Sequence, residues 1–368
     1  MLFCRAKSSD VNVLMSCVEK YCAWSGQSIS RDKSGTFVSK GVHGQFIRQV
    51  KNQWGINELL KGAKCLGMPL FFSPNKTKDL SFVKEKLEAQ ISGWKCKSLS
   101  RMGRTTLIKS VAQSIPLYGM ASVKFPRGLC KKMDSLIRKF WWNPNKSGNQ
   151  LYTPVAWSDL CKPLSARSLW FRSFERFNEA MLAKLAWWVL SNRDSFCVTV
   201  LRAKYQVRNN WLQARLARSA SFSWKGIEGA RSLLSHGACK LIGSGEDILV
   251  WEDPWIPDSP SFRSSPRVPT ETQQCITVAQ LMVQDKSAWD ESILQSLFDD
   301  STIAAIQNIP RWSKDQNDKW SWLFSTNGTL IIKSAYKVAT KEENYAHSNT
   351  ILGNIWKSSI HDHLKMLL

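Results

Sequence analysis

The sequence predicts a mainly α chain with small β elements, an α+β architecture. Three observations carry that expectation. Apolar residues recur at helical spacing over several long stretches. The apolar runs between those stretches are short and are cut by Gly and Pro. With 43% hydrophobic residues in 368 positions, the chain can bury a real core and is not broadly disordered. The length predicts two or three domains.

Residues 2–4 of "MLFCRA" read as a buried strand. "SSDVNVLMSCVEKYCAWSG" predicts a helix, with Ser8, Ser9 or Asp10 as cap and Gly26 as stop. Val11, Leu14, Cys17, Val18, Tyr21 and Cys22 form its apolar stripe and place both thiols on it. "SISRDKSGTFVS" reads as a turn into a short strand, and "AKCLGMPLFF" as a tight hairpin around Gly67 and Pro69. Between Asp79 and Trp142 lie three amphipathic patterns, "DLSFVKEKLEAQISGW", "GRTTLIKSVAQSI" and "PRGLCKKMDSLIRKFWW", which predict a small helical bundle. In the third, Leu129, Met133, Leu136, Ile137, Phe140 and Trp141 share one face, and Lys131, Lys132, Arg138 and Lys139 the other.

"NPNKSGNQ" reads as a linker, and helices follow near 171–190, 195–205 and 221–235. "CKLIGSGEDILVWEDPW" reads as two strands joined by a Gly-Ser-Gly turn. The Pro- and Ser-rich stretch 259–275 reads as a linker. "KWSWLFSTNGTLIIKSAYKVA" reads as a hairpin around Asn327-Gly328 running into a helix. The expected division is 1–78, 79–145, 146–258, the linker 259–275, and 276–368. No internal repeat is visible.

Charge limits the functions available. Lys and Arg number 51 against 29 Asp and Glu, a formal +22 with a pI near 9.7. Such an excess points to phosphate backbones as partners. The cations concentrate on the three helices between residues 84 and 139: Lys95, Lys97, Arg101, Arg104, Lys109, Lys124, Arg127, Lys131, Lys132, Arg138 and Lys139. Contacts of this kind give nucleic-acid affinity with little sequence preference. Arg101 and Arg104 flank Gly103 at a helix start, where the dipole also favours an anion. Most of the 18 Trp have apolar neighbours and read as core.

The ten Cys include no CxxC, and no secretory leader is recognisable, so free thiols and an intracellular, nuclear or cytoplasmic location are expected. No run is long enough for a membrane span. Catalytic patterns are scarce. His43, His236, His347, His361 and His363 have no nucleophile motif beside them, and His361 with His363 makes a poor metal site. Gly243-Ser244-Gly245 opens onto a strand rather than a helix and is no phosphate loop. Asp247, Glu252 and Asp253 read as a structural turn.

In order along the chain, "MLFCRA", "SGQSISRDKS", "CLGMPL", "GWKCKSLSRMGRTTLIKSVAQSIPLYGM", "IRKFWWN", "VAWSDLCKP", "FNEAMLAKLAWW", "SWKGIEGARSLL", "IGSGEDILVWEDPWIP" and "GTLIIKSAYKVA" resemble landmarks of plant LINE-type (non-LTR) retrotransposon polyproteins. They are similar to the part of the reverse transcriptase that follows its catalytic centre. The resemblance implies a palm remnant over 1–78 and a helical thumb-like bundle over 79–145. An α-rich region with short hairpins follows, and the chain then leads into a zinc-binding-type module. It implies that "CLGMPL" forms the primer-gripping hairpin, shaped by Leu66, Gly67 and Pro69. It also implies that Lys33 stands where such polymerases carry a loop lysine thought to protonate pyrophosphate.

The family polymerase would use Mg²⁺ held by an Asp pair expected before residue 1. The chain therefore reads as a non-catalytic fragment without catalytic residues, metal or cofactor, and with weak, non-specific affinity for RNA, DNA or hybrid duplex. An active polymerase or ribonuclease H-type protein, and an interaction module or decayed product, are the alternatives. Where the family has Gly-Gly-Leu-Gly, this chain has residues 165–170, "SARSLW".

Overall fold

The computed structural model describes residues 2–39, 41–59, 62–95, 99–142, 153–163, 168–268, 276–284, 288–309 and 316–340, with the Lys95 side chain excepted. They fall into two compact units that divide between Pro74 and Asn75. The architecture is mainly α with small two-stranded sheets.

In the N-terminal unit, α1 (Ser8–Ser25) stops at Gly26, whose φ of 68° is the left-handed stop that glycine favours. Its cap is Lys7, not Ser8, Ser9 or Asp10, which lie inside the first turn. There Asp10 faces the positive end of the helix dipole. β1 (Gly35–Thr36) precedes α2 (Gly44–Trp54) and pairs in parallel with β2 (Asn57–Glu58). β3 (Lys64–Cys65) and β4 (Met68–Pro69) form the expected tight hairpin. Leu66 (φ 50°) and Gly67 (φ 83°) are both left-handed at its turn, as a two-residue primed turn requires.

Two expectations fail in this unit. Residues 2–4 pair with no strand, and Leu2 and Phe3 are 66% and 85% exposed. Cys17 is exposed and Cys22 only half-buried, because no described residue of this unit reaches the buried class.

The C-terminal unit is built differently. α3 (Lys76–Asp79) is capped by Asn75, which accepts from the Lys78 N–H. α4 (Ser81–Lys95) buries Val83, Leu87, Ile91 and Trp94 at helical spacing. α5 (Arg101–Ser110) is capped by Ser100, whose hydroxyl accepts from the Gly103 N–H at 3.1 Å. After α6 (Leu117–Met120) comes α7 (Arg127–Trp142), onto which both α4 and α5 pack. α8 (Trp157–Leu160) follows.

α9 (Phe174–Leu190) buries ten of its 17 residues and forms the axis of the unit. Against it pack α6, α7, α10 (Phe196–Tyr205), α11 (Phe222–Gly229) and α12 (Arg231–Leu234). The stretch 221–235 is thus two helices, broken at Ala230, rather than one. Asn178, buried in α9, donates to the carbonyls of Met120 (2.8 Å) and Val123 (2.9 Å) and accepts from the Phe125 N–H (2.8 Å). This single amide clamps the turn between α6 and α7 to α9.

The Gly-Ser-Gly segment does not close a local hairpin. β5 (Ala238–Leu241) pairs antiparallel with β6 (Lys319–Trp322), far along the chain. Leu249 makes only an isolated bridge, to Thr277. For the same reason the turn at Asn327-Gly328 joins no second strand: the Trp322 N–H bonds Gly328 O at 2.7 Å while the strand itself serves β5. Residues 259–268 are not a free linker, since Trp255 and Ile256 both donate to Phe262 O and Arg267 donates to Leu297 O. A second core cluster around Ile248, Trp255 and Phe298 involves α13 (Glu291–Leu297) and α14 (Asp300–Gln307). α15 (Ile332–Ala339) closes against α9. Among the described residues, no helix is long and apolar enough to cross a membrane.

Candidate nucleic-acid interface

α7 carries a one-sided surface in the C-terminal unit. Leu129, Cys130, Met133, Asp134, Ile137, Phe140 and Trp141 are buried, which fixes the opposite arc toward solvent. At 100° per residue, Arg127, Lys131 and Arg138 fall in one row within about 40°, and Lys132 and Lys139 form a second row about 100° round. The first row extends about 16 Å along the axis. Lys131, Lys132 and Lys139 are exposed and Arg138 is half-buried. None of the three lysines has an ion-pair partner among the described residues. Arg127 pairs with Glu175 of α9 at 3.1 Å, on the surface, where such a pair adds little stability. The single acidic residue of α7, Asp134, points inward.

The start of α5 lies beside the end of α7. Arg101 is exposed, with its guanidinium 5.8 Å from the Trp142 ring centre. Trp141 Nε1 donates to Thr105 Oγ1 at 2.9 Å. Arg104 departs from expectation. It is buried, and its Nη1 donates to the Trp141 carbonyl at 2.6 Å, in the last turn of α7. Burial, then the neighbouring Arg101 charge, lowers its pKa. A guanidinium at a helix C-terminus offsets the dipole there, so Arg104 serves packing and leaves the solvent-facing set. Lys109 is exposed; partial burial of its ammonium, then the Arg172 charge, pulls its pKa down. Arg172 is a nearby cation that sequence reading missed.

The Lys95 side chain and Lys97 lie outside the described residues, as do residues 165–167 of the altered glycine run and His347, His361 and His363. In the N-terminal unit, Lys33 is exposed on a short 3₁₀ turn (Arg31–Lys33). Leu66 is 80% exposed at the hairpin tip, Gly67 provides the turn, and Pro69 is half-buried.

Carboxylates that turn inward in the C-terminal unit are occupied by the fold. Gly243 and Gly245 donate to Asp318 Oδ1 (2.7 and 3.0 Å) and Asp247 N–H donates to Oδ2 (3.1 Å), so the backbone nest already holds an anion. A Cβ on Gly243 would stand 2.1 Å from Gln316 O. Asp253 accepts from Lys240 Nζ and from the Leu249 N–H, both at 2.8 Å, and Lys240 also donates to Asp247 O. These residues do not fit a two-magnesium site, and no group of three or more His, Cys, Asp or Glu converges among the described residues.

Asp134 behaves as a buried acid. Desolvation pushes its pKa up to about 8, although it accepts the Phe174 N–H at 3.2 Å, which works in the opposite direction. Unfolded, the same carboxyl ionises at about 4. Between about pH 4 and 8 the folded chain therefore binds the extra proton, and stability falls as pH rises through that window. In thermal melts, Asp134→Asn is expected to flatten the decline in Tm between about pH 5.5 and 8.5.

No family model matches the chain. It is 28% identical over 294 residues to "Putative ribonuclease H protein At1g65750" of Arabidopsis thaliana, an alignment covering 77% of this chain and 46% of that protein. The chain thus spans about half the length of that relative. It is 32% identical over 146 residues to "Uncharacterized mitochondrial protein AtMg00310" of the same plant, covering 39% of this chain and 94% of that protein.

Proposed function

The chain belongs to the same family as the Arabidopsis mitochondrial protein AtMg00310, and from that premise we propose that it is a retroelement-derived protein that holds nucleic acid without acting on it. The ordered sequence landmarks support the finer assignment, to the region after the catalytic centre of a LINE-type reverse transcriptase. Its likeness to a protein named as a ribonuclease H supports a link to nucleic acid.

The observation that carries the proposal is the outer face of α7. Two rows of Lys and Arg stand on a packed helix whose own carboxylate faces the core. Such a face meets phosphates by charge and releases counterions, with little sequence preference. Catalysis is not part of the proposal because Asp253 and Asp318 are bound up in structural contacts and Asp134 is a buried acid.

A gel shift with an RNA–DNA hybrid is expected to show binding that weakens steeply between about 50 and 200 mM salt. Binding indifferent to salt contradicts the reading, as does nucleotide incorporation or RNA cleavage with Mg²⁺ by the purified chain.

A further inference from the structure

We propose that a second surface of the C-terminal unit, formed by α10 and the loop 206–220, docks single-stranded nucleic acid, with Phe196 as a stacking platform. The inference extends the nucleic-acid reading to a surface other than α7 and rests on that reading for the class of partner.

Ser195 caps α10, accepting from the Val198 N–H at 3.3 Å, and this sets Phe196 as the first helical residue. Val198 is buried, which turns Phe196 outward, where it is 86% exposed. At helical spacing Phe196, Val200 and Lys204 form one row, and all three are exposed. Just before this row, Arg193 is held at the turn, with its guanidinium 4.2 Å from the Trp188 ring centre.

Beyond α10, the chain leaves through Gln206 in a left-handed conformation and returns at Ser221. The Ser221 N–H donates to the Tyr205 hydroxyl, which donates in turn to Ser221 Oγ at 3.0 Å. Residues 206–220 are therefore a loop whose two ends meet at the C-terminus of α10, the form of a compact Ω-loop. That loop exposes Arg208, Arg215 and Arg218 together with the amides of Asn209 and Asn210.

The charge over 191–221 is strongly one-sided. Arg193, Arg202, Lys204, Arg208, Arg215 and Arg218 share that stretch with one carboxylate, Asp194, while Arg208, Asn209 and Asn210 also line a cavity with Glu246, Asp247, Glu252 and Asp253. Arg202 is used internally, donating to the Val189 carbonyl, while the other five are exposed. Exposed cations spread along and beyond a helix that projects an aromatic ring suit a polyanion whose bases are free to stack, because every base offers a π face. A paired duplex hides those faces and offers the ring nothing. The exposed side-chain amides add donors and acceptors for base edges, which a lipid headgroup layer does not call for.

The test uses the full chain, a labelled oligouridylate, an RNA–DNA hybrid and phosphatidylserine vesicles. Phe196→Ala is expected to weaken oligouridylate binding about tenfold and leave hybrid binding unchanged. Lys204→Glu is expected to act in the same direction. Because Phe196 is exposed, the melt of its variant should match that of the parent chain. Oligouridylate binding unchanged in Phe196→Ala overturns the proposal even when hybrid binding is intact. It is also overturned if vesicles bind the chain as tightly as the oligonucleotide and lose binding with the same variant. Loss of hybrid binding alone, on changing the α7 lysines, counts for the α7 reading and leaves this surface standing.

Discussion

Replacing Asn178 with Leu is expected to destabilise the C-terminal unit by about 3–5 kcal/mol, as each backbone group left buried and unpaired costs ~1–3 kcal/mol. Leu matches Asn in approximate size but returns none of its three bonds, to Met120 O, Val123 O and Phe125 N–H. These groups lie in the turn that positions the start of α7, so the loss should also loosen the basic helix. Urea unfolding followed by circular dichroism measures the change. Lys132→Ala, on the exposed face of α7, is the matched control and should stay within about 0.5 kcal/mol of the parent. Equal effects of the two variants contradict the clamp.

A loss of similar size is expected at the buried pair beneath β5. Lys240 and Asp253 have side chains only 7% and 9% exposed, and they meet at 2.8 Å. Lys240→Met leaves the Asp253 carboxylate without its cation, which typically costs ~3–5 kcal/mol. The Lys240→Met, Asp253→Asn double variant removes both charges and keeps a side-chain oxygen at position 253 to accept from the Leu249 N–H. It should regain most of the loss, since replacing a whole buried pair is often close to neutral. Denaturant midpoints of the parent, single and double variants test this. A double variant as unstable as the single would show that the charge pairing is not what Lys240 contributes.

Helical elements were legible in the sequence where one face repeats. In α7 the spacing of Leu129, Met133, Ile137 and Phe140 sets both the buried side and the basic side, because the two are the same fact seen from opposite directions. Arg104 was misread because charge was weighed ahead of position: it stands one turn before the buried Ile108, and that spacing marked it as inward. Asn178 carried a weaker sign, an amide at helical spacing between the buried Phe174 and Leu182. The pairing of β5 with β6 was not legible. Gly-Ser-Gly resembles a hairpin turn locally, whereas its glycines make room for Gln316 and Ala279 and wrap Asp318, contacts that only the tertiary fold supplies. The N-terminal unit was half-legible. Its turns follow from Gly26 and Gly67, but a periodic stripe says nothing about whether a partner surface covers it, and among its described residues none is buried.

The basic face of α7 is tested most directly by the salt dependence of hybrid binding in the parent chain and in Lys131→Ala, Lys132→Ala, Lys139→Ala combined. If the three lysines meet phosphates, the slope of log K against log salt should become shallower by about 2–3, roughly 0.9 for each contact removed, with the fold unchanged by circular dichroism. An unchanged slope, in a variant that folds normally, would place the phosphate contacts elsewhere and end the case for α7.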